Sequence, residues 1–513
     1  MSTERKSFPP GLGLLGWIAA FAVALLVSVL AAIPRYSTET VTSQPGAEVN
    51  NPGTNQAQGP GRQPVNGPTP GANAGGGTAK QPGGGSHSGS SAGPAVGNHP
   101  CTPDTNGGST APGVTATEIH VASTTVTTGT GSGFLGEAAD GIEAAFKRIN
   151  SAGGVCGRRF TFDQVNSGWD GPTGQRTIQS WVSANNVFAL VGQPDSEGLG
   201  AAIDSGLISR AKIPVVGTDG LLKNQYFEPW VWPVAASTVT NMHIIADYAV
   251  NKLGAKSFGI VYDTRYKFGA EGAAAFNNEI KRLTGSSIAG FGAGKDCKAA
   301  NKAFCGVSSD SQDYTREIQA FNSACAPCDA VVMLLEPSPM QTWMKQEEGS
   351  PTWFKTLFGG EPLFDDKVAQ NCAGCGAAKM TVWTGYHPAI QPFDSEPAVA
   401  TFCQALKAKA PKDDCHNEFT EGAYLGATLF IEAVKEVARR GIPLTRQNLR
   451  DVLNSTPFDL GLASGPLRYG EGLPHLTNVA MAAFQENYAG SFNGWSYLNT
   501  GFVLDRSKGK DLQ

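Results

Sequence analysis

Apolar and polar residues repeat along this chain with two different periods. From Val114 onward, short runs rich in Val, Ile, Phe and Thr give way to stretches with apolar residues on one helical face. The first pattern fits a pleated strand, the second an amphipathic helix. Strands are predicted at 118–126, 160–165, 187–191 and 213–216, with helices at 137–150, 173–185 and 199–209. The series restarts with a helix at 237–253, a strand at 258–262 and a helix at 269–283. Later strands are predicted at 330–335, 356–358 and 380–383, and later helices at 398–409, 418–440 and 445–454. Strands alternating with helices of this length imply parallel sheets covered by helices. Roughly 400 residues exceed what one doubly wound sheet holds around a single core. Two α/β lobes are therefore predicted, with a ligand in the crevice at the carboxyl ends of the strands.

The N-terminal part reads differently. Residues 11–33 carry no charge and are mainly Leu, Ala, Val, Ile and Phe. About 20 apolar residues span a bilayer as a helix, whereas a cleaved signal has an apolar region of about 7–15. The expectation is a retained single-pass anchor in the cell membrane, with Ala31 and Ala32 leaving signal cleavage as the alternative. Arg5 and Lys6 precede the run, which places residues 1–10 in the cytoplasm and the globular part outside. The first cysteine is Cys101, so a lipoprotein attachment site near the apolar run is ruled out. Residues 51–100 hold 14 Gly and 8 Pro, no aromatic residue, and only Arg62 and Lys80 as charges. Such a stretch buries too little surface to offset its chain entropy. Residues 34–112 are accordingly predicted to be a disordered tether that holds a folded head away from the membrane.

Composition narrows the function. The 513 residues carry a net charge of −5, with 41% hydrophobic and 16% charged residues. Nucleic-acid binders show a basic face, so that partner class is excluded. Ten cysteines on an exported chain favour disulfides. Eight fall into neighbouring pairs: Cys297 with Cys305, Cys325 with Cys328, Cys372 with Cys375 and Cys403 with Cys415. Cys101 and Cys156 remain to tie the start of the domain to the end of its first helix. The alternative is zinc held by the two C-x-x-C pairs, although the gap between them is long for a zinc ribbon.

Candidate chemistry is sparse. Gly131, Gly133 and Gly136 match G-x-G-x-x-G between a strand and a helix. A dinucleotide site needs an acid at the end of the next strand, and Asp163 lies inside that strand. The glycines read as a tight turn that lets a ligand approach the backbone, and no cofactor is expected. The seven histidines form no H-E-x-x-H, and the globular part has no G-x-S-x-G. The chain is not expected to be an enzyme.

Four segments carry a resemblance: 113–122, opening Gly-Val-Thr-Ala-Thr-Glu; 140–157, ending Ile-Asn-Ser-Ala-Gly-Gly-Val-Cys-Gly; 188–192; and 213–217. They resemble the type I periplasmic solute-binding proteins of the branched-chain amino-acid class, the receptors of ABC importers. The likeness runs from about Gly113 to Ser491 and loosens after Ala289, with cysteine-rich departures near 295–310 and 365–376. It implies two Rossmann-like, doubly wound lobes joined by a three-crossover hinge. Lobe 1 would be 113–235 plus 384–478, and lobe 2 would be 236–383 plus 479–513. It also implies capture of a small amino-acid-like solute by hinge closure and delivery to an ABC permease in the cytoplasmic membrane.

The resemblance implies site residues position by position. Ser196 falls where the family meets the ligand carboxylate, and free helix N–H groups there favour an anion, while a plain N-cap is the alternative. Asp219, in the next loop, would repel that carboxylate. Glu361 falls where the family sets an acid against the ligand's ammonium. Glu336 takes an aromatic position, and two acids favour a cationic or polyamine-like solute, unless Glu336 caps the helix that follows. Phe134, Phe268 and Tyr424 fall at aromatic lining positions. The rival readings are a sensor ectodomain with a separate signalling partner, an exported enzyme on the same scaffold, and a surface scaffold protein.

Overall fold

The computed structural model describes residues 101–512 apart from 295–296, 299–300, 326, 348–352, 373–378, 414, 490 and 508. The predicted anchor at 11–33 and the tether as far as 100 lie outside the described residues, as does Cys375. No helix among the described residues is long and apolar enough to cross a membrane. The last predicted tether residues differ from expectation, because 101–112 are packed onto the domain. The Arg158 guanidinium gathers the carbonyls of Asn106, Gly108 and Thr115 at 2.7 Å each, and Cys101 is bonded to Cys156. Those bonds satisfy a basic group buried to 4% exposure, which explains why polar residues order there.

The first sheet has five parallel strands in the order β2-β1-β3-β4-β5. They are β1 Glu118–Thr125, β2 Arg159–Asn166, β3 Ala189–Gln193, β4 Val215–Thr218 and β5 Val231–Trp232. Helices Ala138–Ser151, Gly171–Ala184, Pro397–Lys409, Glu418–Arg439 and Arg446–Ser455 supply much of the surrounding apolar layer. Close approach is built into the sequence at one point. A Cβ on Gly426 would lie 2.8 Å from the Cα of Gly217, so glycine lets helix Glu418–Arg439 rest on the sheet. The predicted helix at 199–209 is two helices, Ser196–Asp204 and Leu207–Ala211, broken at Gly206 with φ of 70°.

The second sheet runs β12-β11-β10-β9-β8-β6-β7, with β13 added to β11. Its strands are β6 Phe258–Asp263, β7 Phe304–Val307, β8 Cys328–Leu334, β9 Phe354–Gly359, β10 Thr381–Thr384, β11 Ala480–Tyr488, β12 Phe492–Tyr497 and β13 Val503–Leu504. The expectation of parallel sheets needs correction here, since β11 pairs antiparallel with β10, β12 and β13. Each sheet has its own hydrophobic core. Residues from the loops after β1 and β2, Phe134, Leu135 and Trp169 among them, are buried in the core of the second sheet.

The chain passes between the two sheets three times, after β5, after β10 and before β11. One side chain joins all three passages. Asn478 donates to the carbonyls of Val234 at 3.2 Å and Gly385 at 3.0 Å, and accepts from Ser464 at 2.6 Å. The disulfides Cys297–Cys305, Cys325–Cys328 and Cys403–Cys415 are formed, and Cys372 is also disulfide-bonded. Among the described residues no group of three or more His, Cys, Asp or Glu is arranged to hold a metal.

Candidate functional site

Loops at the carboxyl ends of the parallel strands bring the two sheets together. Trp169, after β2, lies 4.1 Å ring to ring from Tyr266, after β6. Phe134 meets Trp169 edge-on at 5.4 Å and Phe419 at 4.9 Å, and Phe268 lies 5.9 Å from Trp169. Beside this aromatic layer opens a cavity of about 630 Å³. Phe134 and Glu137 line it from the first sheet's side, and Ser309, Pro337, Gln341 and Asp365 from the second's.

Five acids stand at five strand ends. Asp195 follows β3, Asp219 follows β4, Asp263 ends β6, Glu336 follows β8 and Glu361 follows β9. An acid at the end of an apolar strand is held by the strand while its carboxyl meets the loops. Asp263 uses this position structurally, accepting from the amides of Arg265, Tyr266 and Ser309. Asp195 caps helix Ser196–Asp204 through the amide of Gly198 at 2.9 Å, and its second oxygen has no partner. Ser196 is therefore the first helical residue and not the cap. Its hydroxyl accepts from Trp169 Nε1 at 3.0 Å.

Glu361 and Glu336 are the least satisfied of the five. Glu361 is 5% exposed and Glu336 is 0% exposed, and no carboxyl oxygen of either has a hydrogen-bond partner. Glu336 makes no capping bond to the helix Pro337–Gln346. Burial pushes Glu361 up to about 7, with the Asp219 charge adding to it. Burial likewise pushes Glu336 up to about 9, assisted by Asp263 and opposed by Arg265. Asp219 is half-buried and is pushed up to about 7 by desolvation, with Gln225, Leu221 and Ser196 opposing the shift. Glu418 and Glu421, at the start of helix Glu418–Arg439, are also buried and raised well above the carboxylate range by desolvation.

The buried basic side chains of the described residues are Arg158, His243, Lys302 and His475, and all are engaged elsewhere. Buried charges without a partner are costly, so these acids sit neutral or await a cation. Of the expected site residues only Phe134 lines the cavity; Ser196 and Phe268 meet Trp169, Asp219 is near Ser196 and Glu361, and Glu336 is near Tyr266 and Asp263. Tyr424 stands apart, packed 5.0 Å from Phe402 in the first sheet's core. Sequence reasoning missed Trp169, Tyr266, Asp263, Glu418 and Glu421. For Trp169 and Asp263 the available signal was position, since both fall at the carboxyl end of a parallel strand.

Two α/β sheets, linked by three chain passages and meeting through their strand ends, define a two-lobed binding protein. A family model described as "Periplasmic binding protein" matches residues 118–487, and the chain belongs to this family. Solved structures agree on the fold. The fatty acid ABC transporter substrate-binding protein from Thermomonospora curvata aligns with a TM-score of 0.63 and 16% identity over 78% of this chain and 95% of that one. LivJ from Streptococcus pneumoniae, a branched-chain amino acid transporter substrate binding protein, aligns with a TM-score of 0.58 and 17% identity, covering 74% and 99%. The leucine binding protein LivK from Thermotoga maritima gives 0.58 and 17%, covering 73% and 98%. No curated protein matches the chain by sequence. The family and these neighbours are substrate-binding proteins, not enzymes.

Proposed function

We propose that this chain is an extracytoplasmic receptor that captures a small polar solute, an amino acid or a related compound, and hands it to an ABC permease. The lobes at 113–235 plus 384–478 and 236–383 plus 479–513 close on the solute, and residues 11–33 anchor the chain to the membrane through the tether at 34–112. The observation that carries this reading is the unpartnered Glu361 carboxyl, buried where the strand ends of both sheets converge. An interior acid of that kind is stabilised by a bound ammonium group. Asp219 and Glu336 add to the field, with Phe134 and Phe268 as apolar walls. Described neighbours bind isoleucine in one case and are assigned fatty acids in another, so solute class varies on this scaffold. The physics is a population shift, in which a solute touching both lobes favours the closed form by its differential affinity.

Thermal unfolding of the full chain against amino acids, amides, amines and organic acids tests the proposal. A ligand at a hundred times its dissociation constant adds about 2.7 kcal/mol to the native state. A selective shift that Glu361→Gln abolishes supports the receptor. A flat panel on a well-folded chain overturns it.

A further inference from the structure

The strand-end acids fall into two groups. Glu361 and Asp219 act on one another across the two sheets, and the buried Thr238 side chain is next to Glu361. Glu336 and Asp263 form the second group at the ends of adjacent strands β8 and β6, and the buried Ser309 is next to Asp263, donating its amide to it. Each group therefore offers a buried carboxyl with a hydroxyl beside it, and Asp263, whose oxygens already accept from three amides, adds negative charge to the second group. Strand β8 lies between β9 and β6, with the Gly360 amide bonded to the Met333 carbonyl at 2.9 Å. Adjacent strands are about 4.8 Å apart, so Glu361 and Asp263 are separated by two such steps, about 10 Å along the sheet.

A zwitterion fits this arrangement poorly. Ser196, the residue expected to meet a solute carboxylate, follows the buried Asp195 directly and lies within reach of Asp219. Its hydroxyl already accepts from Trp169. A solute carboxylate there would meet two acids. Arg265, the cation that acts on Glu336, is itself paired with Asp310 and lies over the Tyr266 ring at 5.1 Å. Trp169, hydrogen-bonded to Ser196, lies against Tyr266, which is near Glu336 and Asp263, and such rings suit methylene groups and ammonium ions.

We propose that the solute is a dication, a diamine or polyamine with one ammonium group at Glu361 and Asp219 and another at Glu336 and Asp263. This rests on the receptor reading and names its solute class. Calorimetric titration of the full chain with butylamine, putrescine, spermidine, L-leucine and hexanoate tests it. Putrescine or spermidine should bind on the order of a hundredfold more tightly than butylamine, because the second ammonium satisfies a buried acid. Glu336→Gln should erase that advantage, so that the diamines bind no more tightly than butylamine, whereas Glu361→Gln should weaken both. An unliganded melting temperature for Glu336→Gln no lower than that of the parent shows that folding is intact. Equal affinity for butylamine and the diamines overturns the proposal. Tighter binding of leucine or hexanoate also overturns it while leaving the receptor standing. If no compound in the panel binds, both readings fall.

Discussion

Glu361→Gln should stabilise the unliganded protein, and only above the pH at which a free glutamate ionises. Folding lifts the Glu361 carboxyl from an ordinary 4.5 to about 7. Below pH 4.5 it holds its proton in both the folded and the unfolded chain, so its contribution is then fully present. As the pH climbs to 7 the unfolded chain releases the proton first, and folded-state stability is lost. At about 1.4 kcal/mol per pH unit the loss above pH 7 is about 3 kcal/mol. Glutamine keeps the shape and has no proton to lose. Unfolding entropy near 2.1 cal/mol/K per residue, over roughly 400 ordered residues, converts about 3 kcal/mol into a rise in Tm of about 4 °C. Calorimetric melting of parent and variant at pH 4 and pH 8 reads this directly. Matching curves at pH 4 and a gap at pH 8 are expected. A gap of equal size at both values, or none at pH 8, would refute the claim that the acid is buried without a partner.

Three further outcomes follow from the same structure. Burial alone would lower His243, but Asp505 and Asp511 raise it to about 9, so its stabilisation is full below pH 6.5 and is lost as the pH rises through 9. His243→Asn should therefore cost about 3 kcal/mol at pH 6 and little at pH 10, read by urea unfolding. Replacing both Cys101 and Cys156 by serine opens a link between residues 55 apart, which should cost about 4 kcal/mol and expose 101–112 to limited proteolysis. Gly426→Ala pushes a methyl group against Gly217 and should lower stability by about 1–3 kcal/mol, while an alanine at the unobstructed Gly472 should not carry that packing penalty.

Much of the architecture was legible because buried parallel strands are rich in Val, Ile and Phe and lie between amphipathic helices. What escaped has physical reasons. β11 reads Ala-Met-Ala-Ala-Phe-Gln-Glu-Asn-Tyr, residues that favour helix as readily as strand, and its pairing with β10 and β12 decides the outcome. β5 and β7 have two and four residues, too few to show a period. In the candidate site, Glu361 and Glu336 could be marked from sequence because the family resemblance sets both at ligand positions. Their isolation could not, because it depends on which cations fold leaves nearby. Trp169 lies in a glycine-containing turn, and only the meeting of two sheets shows what its ring covers. Tyr424 shares an aromatic character with the lining residues, yet its helical face points it to Phe402.

The bonds of Asn478 have a mechanical consequence. Three independent passages could each bend or twist by a different amount, and the two halves would then wobble relative to one another. An amide that holds Val234 and Gly385 together while Ser464 holds it in turn makes the passages behave like a laced binding. Bending one passage therefore pulls on the others, which opposes shear and torsion and favours rotation about a shared line. In a receptor that works by closing, such lacing turns a loose linkage into a one-dimensional coordinate. Under the receptor function proposed above, a solute would select a position along a single arc, and a permease would read filled from empty by that angle.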